Sequence, residues 1–282
     1  RISRRIQFSP SFVSACGHSS KSKNHGCQPI PRPEVVVIYV VLRAKEAEAR
    51  FRDLHPGLIS KVKFLHRQRS YYELLQKLID SAEEDYLCVV HDDVVLGERF
   101  GERLTTLVRL LNAEFPNWGL AGNAGVACFR VGYSARRLVR YSYSPRGGPN
   151  LTGHILPAQS IDGNVMLMNI RSLRERTVKL PAFDGFQGYE LVLSIETLAA
   201  GLGVFVAPHL CCWHESDDRS ALKAAIGSPS FSEYLTGRIR NRRIETAQGE
   251  FPLPLKLDEP RTQRIDVDLD ALRCAVASRP TK

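Results

Sequence analysis

The chain has 282 residues, of which 43% are hydrophobic and 24% charged, with a formal net charge of +9. That balance suits a globular chain with a buried core and excludes a disordered, collagen-like or disulfide-scaffold protein. No apolar run approaches the roughly 20 residues of a membrane helix, and the irregular spacing of the cysteines fits a reducing compartment. The expected location is cytoplasmic, with membrane-peripheral attachment as the alternative.

Residues 1–33 hold Arg1, Arg4, Arg5, Lys21, Lys23 and Arg32, no acid, and prolines at 29, 31 and 33. They read as a basic, poorly structured N-terminal extension. Within it, Cys16-Gly17-His18 is mirrored by His25-Gly26-Cys27. That spacing is not the usual zinc signature, so zinc or a disulfide stands as an alternative to no bond at all. A second basic cluster, Arg238, Arg240, Arg242 and Arg243, lies near the other end. Such ends suit contact with an anionic surface (phosphate, lipid or nucleic acid), against the plainer reading of a solvated face. The chain opens on Arg1 rather than Met, consistent with a leader or anchor upstream. The sequon Asn150-Leu151-Thr152 would matter only in a secreted chain.

From Glu34 onward the pattern becomes rhythmic. Val35–Leu42 is a nearly continuous apolar run, as expected of a strand covered on both faces. Helix formers over 44–54 end at Pro56-Gly57, and 61–65 is a second strand. Ser70 caps a helix whose apolar positions, Tyr71, Leu74, Leu75, Leu78 and Ile79, keep helical spacing. Asp85–Val90 is a third buried strand running into His91-Asp92-Asp93. A helix is expected over 99–111, loops over 132–153, and a strand over 159–169 interrupted by Asp162-Gly163. A helix over 189–200, ended by Gly201, precedes a strand over 204–207, and a last helix is expected over 231–243. Alternating strands and helices predict a parallel sheet with right-handed crossovers, which binds ligands at the carboxyl ends of its strands.

Three groups of residues could carry chemistry. Adjacent Asp92 and Asp93 at a strand end suit a divalent cation facing a diphosphate; a solvated turn is the bland alternative. Asp184 and Glu190 flank a Gly-rich loop, where Glu190 could serve as a general base or merely complement a helix N-terminus. His214 follows an apolar strand and could ligate Mn²⁺ or Zn²⁺, although a lone histidine is more often structural.

In this order, Asp85–Val90 with His91-Asp92-Asp93-Val94, Ile161-Asp162-Gly163-Asn164, and Phe183-Asp184-Gly185-Phe186 through Gly188-Tyr189-Glu190 to His214 resemble GT-A fold nucleotide-sugar glycosyltransferases, particularly family 2-like members. The resemblance covers about residues 34–216 and implies an α/β, GT-A-like domain. Its core would be a Rossmann-type, mostly parallel mixed sheet flanked by helices, with residues 217–282 as a partly helical C-terminal extension. It implies inverting transfer from a nucleotide sugar, UDP- or GDP-linked, to a glycan, lipid-linked or small-molecule acceptor. Mn²⁺ or Mg²⁺ would be held by Asp93, His214 and His91. Glu190 would be the base with Asp184 beside it. Asp92, Asp162 and Gly163 would line the donor and acceptor region, with Val41 and Arg43 at the nucleobase. Among the arginines, Arg67, Arg69, Arg136, Arg137 or Arg140 could grip phosphate, against the plainer reading of a solvated or structural role.

The pattern departs from the family in places. His91 replaces the usual first acid of the signature, and His66-Arg67-Gln68-Arg69-Ser70 stands where an acidic pair commonly reads uracil. Three rival readings remain: a non-catalytic polyanion or nucleic-acid binder, an inactive GT-A scaffold, and a sugar-phosphate nucleotidyltransferase. The last would bring a Gly-rich phosphate loop after the first strand, where Leu42-Arg43-Ala44-Lys45 stands instead.

Overall fold

The computed structural model describes residues 36–97, 99–127, 138–144, 154–215, 228–239, 243–246 and 249–252, the last two stretches as backbone only. The N-terminal extension, the Cys16/His18/His25/Cys27 group, the sequon and residues 253–282 of the C-terminal extension lie outside the described residues.

In chain order the elements are β1 (Val36–Val41), α1 (Glu46–Leu54), β2 (Val62–Leu65), α2 (Tyr71–Ser81), β3 (Tyr86–His91), β4 (Val94–Leu96), α3 (Phe100–Glu114), β5 (Trp118–Gly122), β6 (Ala124–Ala127), β7 (Leu138–Arg140), β8 (Leu156–Ile161), β9 (Val165–Asn169), α4 (Ile170–Glu175), α5 (Tyr189–Ala199), β10 (Gly203–Val206), β11 (Cys212–His214), α6 (Pro229–Arg238), β12 (Arg243–Thr246) and β13 (Gly249–Pro252). Among the described residues, nine strands form one sheet in the order β2-β1-β3-β9-β5-β10-β8-β6-β7. β1 runs parallel to β2 and β3, and β5 parallel to β10, while β9 runs against both β3 and β5. The α/β class, a mixed sheet flanked by helices, is therefore as the sequence predicts.

Period-two alternation divides the side chains between two cores. Tyr39 and Val41 of β1 and Leu87 and Val89 of β3 face a layer built by α2, α4, α5 and α6. Val36, Ile38 and Val40, with Cys88 and Val90, face the layer of α1 and α3. Burial on both faces explains why these strands read as unbroken apolar runs. Ser70 caps α2 as expected, its hydroxyl accepting from the Tyr72 N–H and donating to the Phe183 carbonyl. Gly201 ends the α5 turn with φ +75°.

Two expectations need correcting. Residues 132–153, expected as loop, include the edge strand β7. The helix expected over 231–243 runs instead from Pro229 to Arg238, and Arg243 opens β12. Ser228-Pro229 supplies the start, and Ile239, extended and buried, ends it. Phe231, Leu235 and Ile239 join the same core as α5. No helix among the described residues is long and apolar enough to cross a membrane.

Candidate active site

Register brings the chemistry-bearing residues to one edge. Val41 pairs with His91 across β1 and β3, so both strands end together and Arg43 follows beside Asp92 and Asp93. The antiparallel β9 starts at that edge, with Val165 opposite Val90 and the His91 N–H donating to the Asn164 carbonyl. Asp162-Gly163-Asn164 thus lies against His91. A two-stranded ribbon, β4 with β11, sets His214 opposite Val94, and the Glu215 N–H donates to the Asp93 carbonyl at 3.0 Å. The start of α5 brings Tyr189 and Glu190 to the same place.

One potential ligand atom from each of His91, Asp93 and His214 lies within 4.8 Å of the others. His214 Nε2 is 3.4 Å from Asp93 Oδ2, and His91 Nδ1 is 3.9 Å from Asp93 Oδ1. Two imidazoles with a carboxylate fit a first-row ion such as Mn²⁺ better than Mg²⁺, which prefers an all-oxygen shell. Burial disfavours protonation of His91 and lowers its pKa to about 4. Burial also opposes a charge on His214, but the hydrogen bond and charge of Asp93 outweigh it and raise that pKa.

Two neighbours organise the cluster. Arg43 donates through its backbone N–H and Nε to the two oxygens of Asp92, each at 2.7 Å, and its terminal nitrogen stands 2.8 Å from Asp93 Oδ2. The Tyr189 hydroxyl donates to the Gly163 carbonyl at 3.2 Å and contacts His91 Nε2. A carbonyl only accepts, so with its proton given there the hydroxyl accepts from Nε2–H, and Nδ1 is left with a lone pair. That lone pair faces Asp93. The Tyr189 ring is fixed by stacking on Tyr71, centroids 4.1 Å apart.

Glu190 is buried, 8% exposed. Burial first, then the charge of Asp162, raises its pKa to about 8. The carboxyl that Glu190 feels is therefore that of Asp162, while Asp184 is exposed in the preceding loop. Gly163 allows this packing, because a Cβ there would lie 2.2 Å from the Tyr189 oxygen.

Beside the cluster a cleft of about 1030 Å³ opens over the ends of β1 and β2. Leu42, Arg43, Lys45, Arg52, Arg67 and Phe186 are among its lining residues. Arg67 sits at φ +53°, a left-handed backbone rarely adopted by a long side chain. Of the expected donor residues, Arg43 lines this cleft, Val41 is buried beneath it, and Arg69 is exposed beside the lining stretch 66–68. Sequence reasoning missed Tyr189 and Tyr71. Their only signal was the adjacency of Tyr189 to Glu190, since α2 meets α5 only in the folded chain.

No family model matches the chain, and no curated protein matches it. Among solved structures, it is similar to GalNAc-T7 with UDP, GalNAc and Mn²⁺, at 7% identity and TM-score 0.45, covering 71% of this chain and 47% of that one. It is similar to the mannosyltransferase PcManGT from Pyrobaculum calidifontis with GDP-Man and Mn²⁺, at 12% identity and TM-score 0.41, covering 68% and 60%. It is also similar to S. aureus TarS with UDP-GlcNAc, at 11% identity and TM-score 0.46, covering 74% and 57%. The chain spans about half the length of these proteins. What the chain itself brings to one sheet edge is a His–Asp–His cluster, a buried carboxyl of raised pKa and a basic cleft.

Proposed function

We propose that the chain is a metal-dependent glycosyltransferase that moves a sugar from a UDP- or GDP-linked donor to an acceptor hydroxyl, with inversion. The observation that carries this reading is the meeting of His91, Asp93 and His214 within 4.8 Å at the edge where the basic cleft opens. Glycosyltransferases in complex with UDP, GDP-Man or UDP-GlcNAc are among the solved structures of similar fold. On this reading residues 34–216 form the catalytic domain.

His91 Nδ1, Asp93 and His214 would hold Mn²⁺, and the bound ion would supply charge neutralisation for the departing nucleoside diphosphate. The remaining work belongs to the chain. Arg43, Lys45, Arg52 and Arg67 line the cleft and attract the nucleotide's phosphates. Asp162 and the Gly163 turn border the space in which donor sugar and acceptor meet. Glu190 takes the proton of the acceptor hydroxyl as its oxygen bonds to the anomeric carbon and the bond from that carbon to the diphosphate breaks. A pKa of about 8 poises that carboxyl near neutral pH, where a base both releases and accepts a proton readily.

Thermal shift of the protein against a panel of UDP- and GDP-sugars, with and without Mn²⁺, tests the reading. A true donor stabilises the chain in proportion to the logarithm of its concentration over its dissociation constant, and only with Mn²⁺. A shift with homopolymer RNA that fades steeply with salt, and none with any nucleotide sugar, would instead favour the polyanion binder.

A further inference from the structure

Arg43 stands where a bound cation would need room. It is anchored at its base, because its backbone N–H and Nε both donate to Asp92, each at 2.7 Å. Its outer nitrogen reaches past that carboxylate to Asp93 Oδ2 at 2.8 Å, the same oxygen that His214 Nε2 approaches at 3.4 Å. Asp92 and Asp93 have side chains only 5% and 10% exposed, whereas that of Arg43 is 53% exposed and lines the cleft. Two nearly buried carboxylates side by side need a counter-charge, and the guanidinium supplies it.

A divalent ion drawing on Asp93 would then share that carboxylate with a guanidinium. Like charges so close repel strongly where water is largely excluded. The exposed outer end of Arg43 can leave Asp93 without any movement of β1, and the space it enters is the cleft beside Lys45, Arg52 and Arg67. An anion in that cleft stabilises the displaced position, since guanidinium grips phosphate oxygens as well as carboxylate.

We infer that Arg43 is a built-in counter-cation of the His91–Asp93–His214 site: it keeps divalent ions weakly bound while the cleft is empty and surrenders Asp93 when a diphosphate takes its guanidinium. The inference rests on the metal–diphosphate reading above and adds an order to it. Ion and nucleotide bind cooperatively, and the coupling runs through one side chain. By linkage, whatever factor the nucleotide adds to ion affinity, the ion adds to nucleotide affinity.

The test is Mn²⁺ titration, read by the electron-spin resonance of free Mn²⁺, on the wild-type chain, Arg43→Gln and Asp93→Asn, each alone and with saturating UDP or GDP. Removing the guanidinium is expected to tighten Mn²⁺ binding without nucleotide by about tenfold, in the usual range of such couplings. UDP or GDP should tighten the wild type by a similar factor and Arg43→Gln by far less. If Arg43→Gln binds Mn²⁺ no tighter than wild type while Asp93→Asn abolishes binding, the site stands and the counter-cation role is overturned. If neither wild type nor Arg43→Gln takes up Mn²⁺ under any condition, the metal reading itself falls and takes this inference with it. Should Arg43→Gln fail to fold by circular dichroism, Arg43→Lys serves. An ammonium cannot span both carboxylates, so Arg43→Lys should also bind Mn²⁺ more tightly than wild type, and equal or weaker binding overturns the proposal.

Discussion

The Tyr189 hydroxyl, one residue before Glu190, shares a hydrogen bond with His91 Nε2 and donates to the Gly163 carbonyl. It thereby decides which face of the imidazole turns to Asp93. Partners of this kind behind a ligand commonly change metal affinity about 10- to 100-fold. Tyr189→Phe should therefore weaken Mn²⁺ binding about tenfold, measured by calorimetry. Nitrogen NMR of His91 should show a loss of the single tautomer, a readout that a purely structural role would not move.

Asp93 touches every other member of the cluster, so Asp93→Asn should remove the Mn²⁺-dependent part of any thermal shift. His214→Gln should weaken it while leaving the fold intact. A full shift retained in Asp93→Asn would dissolve the cluster as an ion site.

Glu190 makes a prediction in pH. Its pKa rises from 4.5 to about 8 on folding, so the folded chain binds this proton more tightly than the unfolded chain. The resulting stability is complete below about pH 4.5 and is lost as pH rises through about 8. Melting temperature should fall across that window in the wild type. Glu190→Gln cannot titrate, so it should flatten the fall and compare best with wild type at the alkaline end. In hydrolysis or transfer assays the same variant should retain nucleotide-sugar binding and lose turnover.

Packing at the turn is equally exposed to test. A Cβ at Gly163 would lie 2.2 Å from the Tyr189 oxygen, and overpacking of this kind costs about 1–3 kcal/mol. Gly163→Ala should lower the denaturant midpoint and, by displacing Tyr189, weaken Mn²⁺ binding as well.

On the other side of α5, Phe231 packs against Gly188, and Tyr234 and Arg238 both reach Glu196. Phe231→Ala should cost about 3–5 kcal/mol by urea unfolding. A chain cut before Ser228 should be destabilised at least as much.

The parts of the fold legible in the sequence are those fixed locally. β1 and β3 announce themselves because burial on both faces leaves unbroken apolar runs, and Ser70 and Gly201 mark helix ends by their own chemistry. β5 and β6 were hidden by their composition. Gly119, Gly122 and Gly125 are poor strand formers, retained where Thr197, Ile161 and the Ser160 carbonyl leave no space for a side chain. β4 and β11 are too short for periodicity to register, and each depends on the other. Asp92, Asp93, Glu190 and His214 stood out by residue type and position. The pairing of Arg43 with two aspartates, and of Tyr189 with His91, could not be read, because both arise from contacts between segments far apart in the chain.

The β4–β11 ribbon gives this site a particular place in the folding of the chain. His214 and Asp93 are joined by the pairing of two strands far apart in the chain, and contacts that close long loops form slowly, so the cluster is expected to assemble late. Ion capture during refolding should therefore lag behind the return of helical and sheet signal. An ion added early would find scattered ligands rather than a template to organise around.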